Sequence, residues 1–344
     1  MNVLSLFAGV GGFDLGLERA GMKTIYQCEL DARARSILDR HWPDVPKWDD
    51  VSTLAATEIL RHGQNPDVIA WGSPCQDLSV AGRRAGIEGS RSALFHEGIR
   101  IIKELREATN NEYPRISIWE NVPGAITSND GKDFGVVLDE LAKAGALVIE
   151  WAVLDAQHFG VPQRRRRTFV VAIFDPAIAR NCPDPLLPVR KGSRGDIAKG
   201  KQERKGTSAT TQEGFGTTGA GWWSETDTAI TLCSRDTKSP STLIGENLML
   251  AFDTQFGSNA TVFEDMAPTL KSSQQAPSIF VDGFNIRKLT PVECERLMGW
   301  PDDHTRWNAK GREQKDASRY RQCGNGVASP VAEWVGKHVM EAAR

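Results

Sequence analysis

No stretch of this 344-residue chain reaches the roughly 18 apolar residues of a membrane span. The opening residues MNVLSLFAGVGG lack the basic start and small-residue cleavage site of a secretory leader. None of the six cysteines, at 28, 75, 182, 233, 294 and 323, forms a C-x-x-C pair. That argues against a zinc ribbon and gives no disulfide framework. No other metal-ligand cluster is visible, and a reduced, cytoplasmic setting is the default expectation. Charge of one sign is also missing. The net formal charge is −2, which neither supports nor excludes a nucleic-acid partner. Its distribution is more informative: Arg190 to Lys205 holds seven Lys or Arg against two acids, and four arginines stand at 164–167. Each run reads either as a solvated face or as a grip on phosphate.

What is present is an alternation of short apolar runs and helical patterns over the first 175 residues. Strands are expected at NVLSLFAG, KTIYQCEL, DVIAWGS, RISIWENV, LVIEWAVLD and RRTFVVAIF, with helices over 13–21, 31–41, 52–61, 92–107 and 133–144. Such alternation predicts βαβ units in a doubly wound, mostly parallel α/β sheet with both faces covered. The texture changes after Pro176. Residues 176–283 are rich in Gly, Ser, Thr and Pro and read as a separate, smaller, loop-rich unit containing β-structure. DTAITL at 227 and DMAPTL at 265 echo one another, but two copies do not make a repeat array. Helical patterns return at RKLTPVECERLMGWP, where Thr290, Pro291 and Glu293 form a capping box with proline at the first helical position.

LSLFAGVGGFDLGLERAG is a strand, a glycine turn and a helix. Gly9, Gly11 and Gly12 permit a tight turn and close approach of a ligand. Glu29 follows at the end of the next strand, where an acid commonly accepts hydrogen bonds from ribose hydroxyls. Position 14 is Asp, so the full G-x-G-x-x-G is absent. The pattern fits a nucleoside-bearing cofactor or simply a turn of the fold. Cys75 stands in GSPCQDL, a loop composition directly behind Pro74; it is either a reagent or a thiol that happens to lie in a loop. Ligands in such sheets sit at the carboxyl ends of strands. The glycine turn, Cys75, and the Glu120–Asn121 pair all fall there, and this convergence favours the reagent.

The same motifs resemble the DNA (cytosine-5) methyltransferase family of bacterial and phage type. The resemblance covers nearly all the chain outside 176–283. It is carried by FAGVGG, SPCQDLSVAGRRAG with SRSALF, ENV at 120, QHFGVPQRRRRTFVVA, RKLTPVECERLMGWPDD and QCGNGVASPVA, in the family's order. It implies a Rossmann-like class I methyltransferase fold over 1–175 and 284–344, with 176–283 as the target-recognition domain. It also implies S-adenosylmethionine as donor, S-adenosylhomocysteine as product, no metal, and double-stranded DNA as partner. The implied reaction is methyl transfer to carbon 5 of a flipped-out cytosine through a covalent adduct on Cys75. The family chemistry has a physical rationale: carbon 5 is a poor nucleophile until a thiolate adds at carbon 6, and cysteine supplies a thiolate near neutral pH.

By the same resemblance Glu120 would hydrogen-bond cytosine N3 and its exocyclic amine. Arg165 would brace the base, and Arg167 matches the second motif arginine. Strand alternation would place 165 and 167 on one face and 164 and 166 on the other. Phe7, Gly9, Gly11, Gly12, Glu29, Leu30, Asp50, Val51, Pro74, Leu94, Asn325 and Val327 would surround the cofactor. Leu30 stands where many members carry an aromatic, and Ser73 where many carry Pro or Phe. Gln76, Ser79, Arg91, Asn121, Gln163 and Thr269 would touch substrate, with Arg83 and Arg84 at phosphates and the loop from Cys75 to Gly89 as a lid. Thr269 and Leu270 fit the family's Thr-Leu pair better than Thr231 and Leu232. The implied protein is a cytoplasmic monomer in a bacterial cell or phage host. A restriction endonuclease of the same system is a partner it need not contact. The rival readings are a tRNA methyltransferase, whose relatives have a smaller variable region; an inactive DNA-binding regulator, against which Cys75, Glu120 and Arg165 stand; and a dehydrogenase, which the glycine turn alone suggests.

Overall fold

The computed structural model describes residues 1–73, 93–188, 214–217, 223–226, 242–243, 250–252, 262–264, 266–270, 278–281 and 285–344. Pro74, Cys75, Gln76, Ser79, Arg83, Arg84, Arg91, the basic run from Arg190 and the Thr231–Leu232 pair lie outside these.

The chain opens with β1 (Asn2–Leu6), α1 (Gly12–Arg19), β2 (Lys23–Cys28), α2 (Ala32–His41) and the short β3 (Lys47–Trp48). It continues through α3 (Ala56–Leu60), β4 (Val68–Trp71), α4 (Ala93–Ala108), β5 (Ile116–Asn121), α5 (Gly124–Thr127) and α6 (Lys132–Lys143). The hairpin of β6 (Val148–Asp155) and β7 (Arg166–Ile173) follows, then α7 (Pro176–Asn181). These strands make one seven-stranded sheet in the order 3-2-1-4-5-7-6. The β1, β2, β3, β4 and β5 pairings are parallel, whereas β7 pairs antiparallel with both β5 and β6. Residues 156–165 hold only a short 3₁₀ turn, too short a connection for a crossover helix, so the chain must return as a hairpin. The mostly parallel sheet expected from the sequence is thus present, with one reversed strand. The expected helix over 52–61 is shorter, because Leu54 and Ala55 are extended between a single 3₁₀ turn and α3.

Alternating strand residues feed two apolar layers, as a two-residue side-chain period requires. Val3, Val68, Ala70, Ile116, Ile118 and Val171 pack on one face. Leu4, Leu6, Ile69, Trp71, Trp119 and Val170 pack on the other, against α4 and α6. The helices α8 (Pro291–Leu297), α9 (Asp316–Asn325) and α10 (Ser329–Ala342) complete the first layer. Thr290 caps α8 through the expected box, its hydroxyl accepting from Glu293 N while Glu293 accepts from Thr290 N. The end of the chain thereby returns to its beginning. Ser329 Oγ donates to Gly12 O at 2.8 Å, so α10 is fastened to the first turn of α1. No helix among the described residues is long and apolar enough to cross a membrane.

The intervening region is built differently. β8 (Gly214–Thr217), β9 (Trp223–Thr226) and β10 (Thr242–Leu243) form a three-stranded sheet. β11 (Leu250–Phe252), β12 (Val262–Glu264), β13 (Ser278–Val281) and β14 (Asn285–Lys288) form a four-stranded one. Every pairing in both is antiparallel. The β13–β14 hairpin crosses position 283. At the other end of the region Ile178, Leu186 and Leu187 belong to the core of the large sheet.

Candidate functional site

The carboxyl ends of the central parallel strands gather two groups of polar residues. The first lies after β1 and β2. Phe7 adopts φ +54°, a left-handed conformation that a bulky residue takes only where its surroundings enforce it. It opens the glycine turn. Glu29 closes the turn from the side: its Oε2 accepts from Gly9 N and its Oε1 from Asp31 N, both at 2.8 Å. Burial raises the Glu29 pKa, and these two amide bonds oppose the rise. Gly12 meets the carboxyl-terminal segment so closely that a Cβ there would lie 2.4 Å from Val327 O. Only glycine permits this approach. Asn325 ends α9 exposed, and Val327 is half-buried over the turn. Leu30, beside Glu29, is 69% exposed. Asp50 caps the following 3₁₀ turn, its Oδ1 accepting from Ser52 N at 2.9 Å and Ser52 Oγ at 2.7 Å; these bonds lower its pKa. Val51 is buried and Leu94 half-buried. A strand-end carboxylate, an uncovered apolar side chain next to it and a second carboxylate beyond fit an adenosine-bearing group with its ribose at Glu29.

The second group lies at β4, β5 and β7. Glu120 ends β5 almost fully buried, and Arg167 Nε stands 3.0 Å from its Oε1. Burial raises the Glu120 pKa, while Arg167 and Arg165 pull it down. Glu120 Oε2 faces Gly72, 3.1 Å from where a Cβ would sit. Gly72 and Ser73 lead directly into Pro74–Cys75. Ser73 is fixed by two neighbours: Trp119 Nε1 donates to its hydroxyl at 3.2 Å, and Asn121 Nδ2 donates to its carbonyl at 3.3 Å. Asn121, expected at the substrate, is therefore buried with its amide engaged at the root of the Pro74–Cys75 segment.

Burial alternates along 163–166: Gln163 and Arg165 are buried, Arg164 and Arg166 exposed. The two motif arginines have different partners. Arg165 donates to Leu270 O at 3.2 Å, Gly324 O at 3.0 Å and Gly326 O at 2.6 Å. It thus ties the 266–270 segment to the loop that ends in Val327 over the glycine turn. The same segment is stitched to the start of β7 by Arg164 N to Ala267 O at 3.0 Å and Ala267 N to Pro162 O at 2.8 Å. Thr269 Oγ1 adds a bond to Arg164 O. Gln163 is wholly buried, and neither of its amide atoms has a hydrogen-bond partner among the described residues. A buried amide left unpaired is costly.

Three further residues shape the site without having been expected there. Asp14 is fully buried under the glycine turn, accepting from Ser5 Oγ at 3.0 Å and Gln27 Nε2 at 2.9 Å. Desolvation lifts its pKa to about 6. Its sequence signal is an acid in an otherwise apolar helical face. Ser73 was legible only as a departure from the family pattern and His304 gave no signal, because their partners are remote in the chain.

The family model described as C-5 cytosine-specific DNA methylase matches residues 1–341. The type II methyltransferase M2.BsuMI of Bacillus subtilis is 31% identical over 349 residues, covering 99% of this chain and 76% of its own length. A protein of Escherichia phage P1 named DNA N-6-adenine-methyltransferase is 26% identical; the alignment takes in 98% of this chain, which spans 61% of that relative. Among solved structures, the S. pombe Dnmt2 methyltransferase superposes with a TM-score of 0.61 at 18% identity, covering 100% of this chain and 99% of the other, and shows the shared fold.

Proposed function

The chain belongs to the C-5 cytosine-specific DNA methylase family, which makes it a DNA methyltransferase with S-adenosylmethionine as donor, and we propose that it methylates carbon 5 of a cytosine turned out of duplex DNA at a specific sequence. The observation that carries this reading is the buried Glu120–Arg167 pair at 3.0 Å, set beside the strand end that leads into Cys75. A cytosine attacked at carbon 6 gathers electron density at N3. A carboxyl group whose pKa burial has raised can share its proton there. Arg167 holds Oε1, and Oε2 faces the Gly72 side. Cys75 is the nucleophile of the proposal. The base must leave the helix to reach such a recess.

S-adenosylmethionine, when bound, supplies an electrophilic methyl group. Glu29 would accept from its ribose, Leu30 would cover its adenine and Asp50 would meet the adenine amine. Phe7, Gly9, Gly11 and Gly12 would line the methionine side, with Leu94, Asn325 and Val327 closing the pocket. Sequence reading of DNA belongs, in this proposal, to residues 176–283, and the catalytic body to 1–175 and 284–344. The antiparallel sheets and Thr269, fastened to the base-end strand, support that division. The protein of this proposal is a monomer acting on DNA in the cytoplasm of a bacterial cell or phage host, beside a restriction endonuclease it need not touch.

Bisulfite sequencing of DNA from cells expressing the protein tests the proposal. Protected cytosines within one short sequence are expected. Nucleoside mass spectrometry of the same DNA and of the cells' RNA completes the test: methyl groups only on adenine N6, as the name of the phage P1 relative would suggest, or only on RNA, would overturn the proposal.

A further inference from the structure

His304 lies outside every motif assigned above, in the stretch WPDDH that follows α8. It is buried, and its Nε2 stands 2.8 Å from Val10 O. A carbonyl can only accept, so this nitrogen carries the hydrogen. Among the described residues no other side chain hydrogen-bonds to Val10. Its carbonyl belongs to the same peptide unit as Gly11 N–H, which donates to Ala8 O at 2.9 Å. That peptide plane is thus gripped from both sides. Glu29 holds the amide of Gly9, two peptide units earlier in the turn.

The imidazole is itself held. His41, the last residue of α2, stacks on it with ring centroids 4.2 Å apart and planes 10° from parallel. His41 Nε2 donates to His304 O at 2.8 Å. The Trp300 ring lies 5.3 Å away and the Trp42 ring 6.5 Å away. Trp42 also backs the turn from α2 and is anchored by its Nε1 donating to Glu18 Oε1 at 2.9 Å. His41 and Trp42 at the end of α2, with Trp300 and His304, therefore form a buttress behind the turn, and the His304 donor is its contact with the Val10 carbonyl. Burial and the nearby His41 depress the His304 pKa to about 4, so the ring is neutral under ordinary conditions.

We infer that His304 is a positioning residue for the cofactor: its Nε2–H fixes the Val10–Gly11 peptide so that the glycine turn is already shaped to receive S-adenosylmethionine. A turn that is preorganised loses less conformational freedom on binding, so the benefit falls on cofactor affinity. Methyl transfer at saturating cofactor and DNA affinity stay outside its reach. The inference rests on the glycine turn being the cofactor site.

The test compares side chains that differ in one donor. Glutamine places its amide nitrogen close to where imidazole carries Nε2, whereas methionine is equally long and unbranched and cannot donate. S-adenosylhomocysteine binding to the full chain is measured by calorimetry for the parent, His304→Gln, His304→Met and Glu29→Ala, with the thermal midpoint of each recorded. His304→Gln is expected to keep the parent Kd within about threefold and His304→Met to weaken it about tenfold, the effect of one net hydrogen bond. The KM for S-adenosylmethionine should rise with the Kd while kcat at saturation and DNA affinity hold. Equal affinity of the Gln and Met variants would overturn the inference, whether both are weak or both strong. Should His304→Met not fold, His304→Phe keeps the stack on His41 without the donor and carries the same expectation. An unchanged Kd in Glu29→Ala would remove the cofactor reading of the turn itself, and the inference with it. A weakened Glu29→Ala beside an unaffected His304→Met would overturn the inference alone.

Discussion

The proposed cofactor end and the proposed base end of the sheet are built from the same kind of strand terminus but held together differently. At the cofactor end the acids are satisfied by amides close in sequence. Glu29 takes Gly9 N and Asp31 N, and Asp50 takes Ser52. At the base end the charged groups are satisfied by each other or by remote backbone. Glu120 pairs with Arg167, and Arg165 reaches carbonyls at 270, 324 and 326. The acids of the cofactor end thus find their partners within residues 9–52, although Val10 and Gly12 of the same turn are held by His304 and Ser329. Remote satisfaction makes the base end a junction, where the strand carrying the arginines, the segment at 266–270 and the loop over the glycine turn all meet in one guanidinium.

The largest effect should come from the proposed nucleophile. Cys75→Ser is expected to lower turnover by more than about a thousandfold, because a hydroxyl is far less ionised than a thiol at neutral pH. Cofactor binding should be unaffected, since the cofactor end does not depend on the thiol. A steady-state assay combined with calorimetry checks both halves. Turnover within tenfold of the parent would sink the nucleophile assignment.

The two arginines offer a sharper contrast. Arg165→Met strands three buried carbonyls, so a stability loss of about 3 kcal/mol or more is expected in urea denaturation. Arg167→Met leaves Glu120 without its counter-ion but breaks no junction. Burial then lifts the Glu120 pKa further, and the stability loss should be less than half as large. Turnover should nevertheless fall by about a hundredfold or more, because the carboxyl is no longer oriented. The reverse ranking in stability would mean that Arg165 is not the strut the geometry makes it.

Glu29→Ala tests the local character of the cofactor end. Loss of a charged acceptor should weaken S-adenosylhomocysteine binding by about 1.5–3 kcal/mol, with DNA affinity and turnover at saturating donor much less affected. If DNA binding in a gel-shift titration weakened as much as cofactor binding, the two ends would not be separable.

The smallest effect at neutral pH appears only on acidification. His304 has a folded pKa near 4 against an ordinary 6.5. Its neutral form is the one that folds, so its contribution is in place above about pH 6.5 and is lost as pH falls toward 4. Asp14 is shifted the other way, to about 6 from 3.8. Its contribution is in place below pH 3.8 and is lost as pH rises toward 6. Relative to the parent, His304→Gln should therefore gain about 3 kcal/mol between pH 6.5 and 4. Asp14→Asn should lose ground over the same interval. Urea midpoints of the three proteins across that range check it, and two differences of the same sign would refute the assignment.

Much of this was legible in the chain. The alternation of apolar runs located the strands of the large sheet except the two-residue β3, because burial on both faces of a parallel sheet leaves continuous apolar segments. The glycine turn and Glu29 could be read together because strand, turn, helix and strand follow one another directly. The Gly, Ser and Thr texture of 176–283 overlaps the two wholly antiparallel sheets, although β14 runs on to Lys288 and Ile178, Leu186 and Leu187 join the large core. Tertiary structure decided the rest. Alternation could place Arg165 and Arg167 on one face, yet only the fold shows one gripping Glu120 and the other gripping Leu270, Gly324 and Gly326. Only the fold brings His304 to Val10 and Asn121 to Ser73. For Arg165, His304 and Asn121 the reason is the same: the acceptor is a backbone carbonyl. Every residue carries one, so nothing in the sequence marks which carbonyl a distant side chain will find.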